Sequence, residues 1–320
     1  VTRVAFLLVP GLHLLDLAGP AQVFGTAADA GLPYRLAYVA DLPGDRRDEE
    51  AAPEAAAGAP ATVPTAQGVP LQAPTAWPSL TADDILLVPG WRWGTGEPHA
   101  PPVSAHAARR LAGHHAAGGT VASVCAGAFA LGHAGLLDGR RCTTHHELQD
   151  ALARRHPRAA VVRDVLYVTD GRVITSAGIA SGIDLALHLV ASRHGPAAAA
   201  RTARAMVVYA RRNGDEPQAS ALLRHRAHVS DAVHRAQDLI DARYTRALPL
   251  HALAAEAGVS ERTLTRRFTA ATGLTPLRYQ QELRLERAEH LIGQGATTDA
   301  AARAVGFTDA RMLRRLRSRP

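Results

Sequence analysis

Leu248–Gly273 (LPLHALAAEAGVSERTLTRRFTAATG) constrains this chain more than any other stretch, because it carries the two-helix, tight-turn pattern of a helix-turn-helix. Leu250, Leu253, Ala254 and Ala257 repeat at helical spacing. Gly258 ends the first helix by supplying a left-handed turn conformation, and Ser260 stands where it would cap the second. Leu264 and Phe268 form the buried side of that second helix. Arg262, Thr265 and Arg266 fall on the opposite side, where a recognition helix meets base edges in a major groove. The same residues also fit an αα-hairpin with a solvated arginine face, and the rest of the chain has to separate the two.

Charge supports a nucleic-acid partner at one end. The 320 residues carry a net charge of +7, and every cationic residue is arginine. Residues 1–200 hold 15 Arg against 17 acids, whereas residues 201–320 hold 21 Arg against 12 acids, so the excess of +9 sits with the helix-turn-helix pattern. The length suits two domains, and 47% hydrophobic residues suffice for ordinary cores. No apolar run approaches the roughly 20 residues that cross a bilayer, and VTRVAFLLVPG is too short before its Pro-Gly for a signal peptide. A cytoplasmic protein without membrane contact is expected. Cys125 and Cys142 are expected as free thiols, since one bridge in a chain of this size is not a disulfide framework.

Along the chain, Val4–Val9 reads as a strand buried on both faces, and Gly19-Pro20 opens a helix to about Ala30. Tyr34–Val39 and Ile85–Val88 are further strands, closed by Leu42-Pro43 and Pro89-Gly90. Strands alternating with helices imply an α/β fold with a parallel sheet. Gly44–Pro60, charged and then Ala/Pro-rich, reads as a mobile surface insertion. Gly119–Val124 is the next strand, and SVCAGAFALGHAG turns sharply into a helix, which places Cys125 at the corner. A thiol at a helix N-terminus in a tight turn is exposed and favours its thiolate; a small core residue at a tight corner is the other reading. Arg163–Ser176 is a hairpin around Asp170-Gly171. Gly178–Ala191 is a helix with Ile183, Leu187 and Val190 on one side, and Pro196 starts another that runs through Met206, Val207 and Tyr209 to Arg212.

Asn213–His228 lacks an apolar stripe and is expected as a linker, giving domains at 1–212 and 229–320. Ser230 caps a helix with Val233, Ala236, Leu239 and Ile240 on one face. Thr275-Pro276 opens a long helix with Leu277, Leu283, Leu285, Ala288, Leu291 and Ile292. A weaker second copy of the two-helix pattern follows, with Asp299–Val305, a turn at Gly306-Phe307, and Asp309–Arg317.

Through LAAEAGVSERTLTRRF, ATGLTPLRYQQELRLERAEHLI and AARAVGF, the C-terminal part resembles the AraC/XylS transcription regulators, in which a long helix joins two helix-turn-helix units. That resemblance makes Ser260, Arg262, Thr265, Arg266 and Arg267, with Arg311, Arg314 and Arg315 of the second unit, the candidates for contact with double-stranded promoter or operator DNA. The second unit departs from the pattern. Ala301 replaces a large aliphatic residue, Arg317 replaces an aromatic one, and Pro320 comes before the expected closing helix, so loose packing is expected there. Losing a large buried side chain typically costs about 2–5 kcal/mol.

Through FLLVPGLHLLDLAGPAQVF, ILLVPGW, SVCAGAFALGHAGLLDGRRCTTHHEL and VITSAGIASGIDLALHLV, the N-terminal part is similar to the ThiJ/PfpI, glutamine-amidotransferase-like superfamily, which implies a flavodoxin-like sheet. The combination resembles a bacterial regulator subfamily whose α/β domain looks like a former enzyme reused for sensing and dimerisation. Asp16 matches the superfamily carboxylate near the nucleophile, and His145 lies in the TTH segment of isonitrile-hydratase-like relatives. Peptidase-like members place His directly after the cysteine, whereas this chain has Ala126, so no adjacent base is evident. A histidine such as His145 is more often a satisfied structural group than a base, and His146 and Cys142 offer nothing better. Asp16, Gly90, Trp91, Cys125, Ala126 and His145 are therefore candidates for a pocket holding a small-molecule effector, expected at the C-terminal ends of parallel strands. The competing expectation is a cysteine-dependent hydrolase or hydratase, isonitrile hydratase-like, acting through Cys125. The 16 histidines show no metal-binding spacing, Gly94 and Gly96 are too sparse for a phosphate loop, and no cofactor is implied. The expected protein is a homodimeric, non-enzymatic regulator.

Overall fold

Continuous apolar runs make strands that can be covered on both sides, and they organise the first half of the chain. The computed structural model describes residues 1–42, 60–92, 101–208, 212–215, 218, 225–226, 228–293 and 295–317. Gly94, Gly96, Tyr209, nearly all of the Gly44–Pro60 insertion and much of the 213–228 linker lie outside the described residues. The chain divides into two units, Val1–Gln218 and Ala219–Pro320.

The first unit runs β1 (Thr2–Leu8), α1 (Leu14–Asp29), β2 (Tyr34–Ala40), β3 (Pro60–Val63), β4 (Leu71–Pro74), β5 (Ile85–Val88), α2 (Ala105–Ala116), β6 (Thr120–Val124) and α3 (Gly127–His133). It continues with β7 (Arg141–Cys142), α4 (Gln149–Arg155), β8 (Ala160–Val161), β9 (Tyr167–Asp170), β10 (Val173–Ser176), α5 (Ser181–His194) and α6 (Pro196–Ala205). Six strands form a sheet in the order β2-β1-β5-β6-β10-β9. All neighbours are parallel except β10 and β9, which form the hairpin expected around Asp170-Gly171. The sheet is therefore mixed, with β9 as an antiparallel edge. Its first five strands follow the flavodoxin-like order, in which the chain turns back between β1 and β5 and leaves a crevice at their C-terminal ends. Helices α1, α5 and α6 pack together, and α2 and α3 pack against β6.

Several local expectations are corrected. Helix α1 begins at Leu14, not at Gly19-Pro20, and Pro20 lies inside it. The missing N–H of Pro20 forfeits one helical hydrogen bond, but Gly19 and Pro20 form a flat surface against α5. A Cβ on Gly182 would stand 3.2 Å from Pro20 Cγ, and one on Gly19 would stand 3.1 Å from Ile183 Cγ1. Helix α6 stops at Ala205 instead of running to Arg212. Val207 takes a left-handed φ of 56°, and the Val208 N–H returns to Ala203 O at 2.9 Å, closing the helix end without a glycine. Helix α2 and the β3–β4 hairpin are not marked by the sequence pattern. The buried stripe of α2 is Ala107, Ala108, Leu111 and His114, which offers little apolar contrast.

The second unit contains α7 (Asp231–Arg243), α8 (Leu250–Ala257), α9 (Glu261–Thr272), α10 (Pro276–Gly293), α11 (Thr298–Ala304) and α12 (Ala310–Arg317). Ser230 stands at the N-cap of α7, but its hydroxyl makes no capping bond; its carbonyl accepts from Val233 and His234 N–H, both at 3.0 Å. Leu277, expected in the core, is 64% exposed. The fully buried residue is Tyr279, which with Leu283 four residues on faces α7 to α9. Ala301 is fully buried in a second cluster with Ala288, Ala302, Val305, Phe307, Ala310, Leu313 and Leu316, so the second helix-turn-helix has a core of its own instead of the expected looseness. Arg317, where an aromatic residue was expected, pairs with Glu289 at 3.4 Å.

Candidate functional site

Two places in the molecule concentrate chemistry, one in each unit. In the first, β6 ends at Val124 and the chain turns into α3 through Cys125, whose φ of 54° is left-handed for a residue with a side chain. Such a conformation typically costs about 1–3 kcal/mol and persists only where neighbours enforce it. Here they do. The Cys125 N–H donates to Ser176 O at 3.0 Å, and its carbonyl accepts from the Thr144 hydroxyl at 2.7 Å. Glycines let the surroundings close in: a Cβ on Gly178 would lie 2.3 Å from Cys125 Cβ, and one on Gly90 would lie 2.3 Å from Asp16 Oδ2 and 2.6 Å from Cys125 Cβ.

Asp16, in the first turn of α1, is fully buried beside this corner. Its Oδ1 accepts from the Ile179 N–H at 3.0 Å, while Oδ2 closes no hydrogen bond of good geometry. Burial pushes the carboxyl up to about 6, opposed by the N–H groups of Ile179 and Gly90 and by the nearby Cys125 thiol. Cys125 itself is buried, and burial together with the adjacent Asp16 pushes its thiol far above the ordinary range. This corrects the expectation that the corner exposes the sulfur and favours its thiolate. The N-terminal position in α3 is outweighed by burial next to a carboxylate. Cys142 is a second buried free thiol, pushed up to about 11, mainly by burial.

Asp16, Gly90, Cys125 and Ala126 thus meet at the C-terminal ends of β1, β5 and β6. Trp91 is buried next to them and bridges to Leu12. His145 belongs to the neighbouring loop, and no hydrogen bond joins it to Cys125. Its ring lies 4.2 Å from that of His146, its Nδ1 lies 3.8 Å from Glu147 Oε2, and burial and then His146 hold its pKa below the usual value. His13 stands on the same side, coupled to Gln67 at 3.0 Å, with its pKa lowered by burial and by Arg92. Ile179 contributes its backbone N–H to Asp16 at a left-handed φ of 43°, although the residue as a whole is 43% exposed. Among the described residues, no group of His, Cys, Asp or Glu is arranged to hold a metal ion.

The second place is the helix-turn-helix. Gly258 ends α8 in the left-handed conformation, and Arg235 donates to Ala257 O at 2.9 Å, satisfying a terminal carbonyl. The Ser260 hydroxyl caps α9 by accepting from the Thr263 N–H at 3.3 Å and also donates to Thr263 Oγ1 at 2.9 Å, so it is occupied within the protein. Leu264 and Phe268 are fully buried, Phe268 against Tyr279 at 5.6 Å between ring centroids. On the far side Arg262, Arg266 and Arg267 are exposed, and Thr265 is half-buried with its hydroxyl donating to Glu261 O at 2.9 Å. Arg311, Arg314 and Arg315 are exposed on α12, with Arg315 reaching Met312 Sδ at 3.2 Å. Arg262, Arg266, Arg267, Arg311 and Arg314 make no side-chain hydrogen bond or ion pair with other described residues.

The DJ-1/PfpI family matches residues 2–192. This chain belongs to that family. A helix-turn-helix domain family matches residues 253–319, so a DJ-1/PfpI domain and a helix-turn-helix domain stand in one polypeptide. An uncharacterized protein in the cpoL 5′ region of Streptomyces lividans is 42% identical over 155 residues, which make up 48% of this chain and 95% of that protein. The HTH-type transcriptional regulator GbdR of Pseudomonas aeruginosa is 32% identical over 55% of this chain and 48% of its own length. This chain thus spans about half the length of that regulator. Isonitrile hydratase of Pseudomonas putida is 31% identical over 58% of this chain and 70% of its own length. A solved ThiJ/PfpI family protein from Pseudomonas syringae shares the fold, with a TM-score of 0.52 at 23% identity over 80% of this chain and 90% of that one.

Within the DJ-1/PfpI domain, sequence reasoning missed Thr144, Gly178, Ile179 and His13. Thr144 adjoins the quoted His145, yet it is the hydroxyl of Thr144, not the imidazole of His145, that holds the Cys125 corner. Gly178 and Ile179 follow β10; Gly178 closes on Cys125 and the Ile179 N–H meets Asp16 across 163 positions of sequence, juxtapositions that no local pattern announces.

Proposed function

We propose that this chain is a sequence-specific DNA-binding transcription regulator. It reads duplex DNA through the helix-turn-helix units of residues 229–320 and holds a small-molecule effector around Asp16 and Cys125. It pairs with a second copy through residues 1–212. The observation that carries the reading is the split character of α9: Leu264 and Phe268 are fully buried, while Arg262, Arg266 and Arg267 point outward with no anionic partner within the described chain. Unneutralised arginines on the second helix of such a motif complement phosphates and guanine edges. Pairing through the first unit raises the effective concentration of the second reading head on a repeated site.

For the DJ-1/PfpI domain we infer binding in place of catalysis. A cysteine nucleophile needs its thiolate and a partner that takes and returns a proton, and positioned acid–base help is worth about 10²–10⁴-fold in rate. Burial and Asp16 keep the Cys125 proton in place, Ala126 follows it, and His145 makes no bond to it. Binding survives these features. The competing reading, a hydratase acting through Cys125, draws on the similarity to isonitrile hydratase and on an Asp16 carboxyl near 6, which can exchange a proton at neutral pH.

The test is a sequence selection from random duplex DNA with the full chain, followed by gel shifts at rising salt. Enrichment of one sequence and a steep loss of affinity with salt are expected. Cys125→Ser should keep that affinity in the absence of effector. Turnover of an isonitrile, amide or ester that Cys125→Ser abolishes would promote the hydratase instead.

A further inference from the structure

The two helix-turn-helix units have separate apolar cores. One gathers α7, α8, α9 and the first half of α10, the other gathers the second half of α10 with α11 and α12, and Tyr244 packs partly against both. Apolar contact is non-directional, so a joint made of it alone would let the units rock. Arg284 sits on α10 between Leu283 of the first core and Ala288 of the second. Its guanidinium donates through Nε to Tyr244 O at 2.6 Å, through Nη2 to Arg246 O at 2.9 Å and through Nη1 to Gly306 O at 2.9 Å. Gln280, one turn earlier, donates to the first two carbonyls at 2.8 and 2.7 Å. The guanidinium also lies 5.5 Å from the centre of the Phe307 ring. No carboxylate pairs with it among the described residues. Gly306 comes so close that a Cβ there would stand 1.9 Å from Thr245 O.

We propose that Arg284 is a positioning residue that fixes the angle between the two helix-turn-helix units and so sets the number of base pairs between the DNA segments they read. The inference rests on the DNA-binding reading above. One planar group holding carbonyls of both units through three fixed donors defines an orientation, which a single ammonium on a flexible stem does not. Each base pair turns the duplex by about 34° and advances it by about 3.4 Å, so a rigid joint penalises any change of spacing and a loosened one tolerates it.

The experiment uses the full chain and the DNA sequence it enriches from a random pool, with one base pair inserted between the two protected segments; fluorescence anisotropy gives the ratio of affinities without and with the insertion. The wild-type ratio is expected at about tenfold or more, and that of Arg284→Met below about threefold, with a smaller loss on the original spacing. A mere loss of stability lowers binding to both DNAs alike and leaves the ratio unmoved, which would overturn the proposal. If Arg284→Met fails to fold, Arg284→Lys, which keeps the charge and the stem, decides by the same ratio. A wild-type chain that binds but tolerates the insertion overturns the proposal alone. One that enriches no sequence removes the DNA-binding reading and the proposal with it.

Discussion

Replacing Asp16 by asparagine should stabilise the protein above pH 6 and leave it unaided in acid. The carboxyl rises from its ordinary 3.8 to about 6 in the folded state, chiefly because it is buried. The folded state therefore binds this proton more tightly than the unfolded chain does. Its contribution to stability is complete below about pH 3.8, declines as pH rises, and has become a penalty by the time pH passes 6. At about 1.4 kcal/mol per pH unit, that interval corresponds to a cost of about 3 kcal/mol for the charged form. Asparagine removes the charge and keeps an oxygen for the Ile179 N–H, at an expense of about 1 kcal/mol for placing an amide against Gly90 and Cys125. A net gain of about 2 kcal/mol at pH 8 is expected, fading towards pH 4. Denaturant unfolding of both proteins across that range measures it. A variant no more stable than wild type at pH 8, or a difference that does not change with pH, would refute the argument that burial dominates this carboxyl.

Gly90→Ala should cost about 1–3 kcal/mol in chemical denaturation and blunt any effector response, because the new Cβ would fall 2.3 Å from Asp16 Oδ2 and 2.9 Å from Ala126 N. Arg266→Ala should weaken binding to the selected DNA by about 1–3 kcal/mol and relax preference at one or two base pairs; equal loss on random DNA would make it a phosphate contact instead. Iodoacetamide at pH 8 should modify native Cys125 and Cys142 at least about tenfold more slowly than the unfolded chain, since both thiols are buried and pushed upward. Rapid labelling of Cys125 would contradict the protonated thiol.

Local rules settle what depends on few neighbours. The buried strands from Val4 and Ile85, the hairpin at Asp170-Gly171, the Gly258 turn and the Ser260 cap follow from runs, periods and turn chemistry, and those residues adopt these structures. The motif residues were likewise enough to place the chain in its family and to point at Asp16 and Cys125. Tertiary structure decided the rest, because the deciding energies come from groups remote in sequence. Pro20 stays inside a helix because α5 packs upon it, and Leu277 yields the core to Tyr279 because α7 lies on the other side of α10. The Cys125 thiol is held protonated by burial and by a carboxylate more than a hundred residues away, where position at a helix start alone argued the reverse. Solvation and charge at a site are properties of everything that surrounds it, and only the folded chain assembles those surroundings.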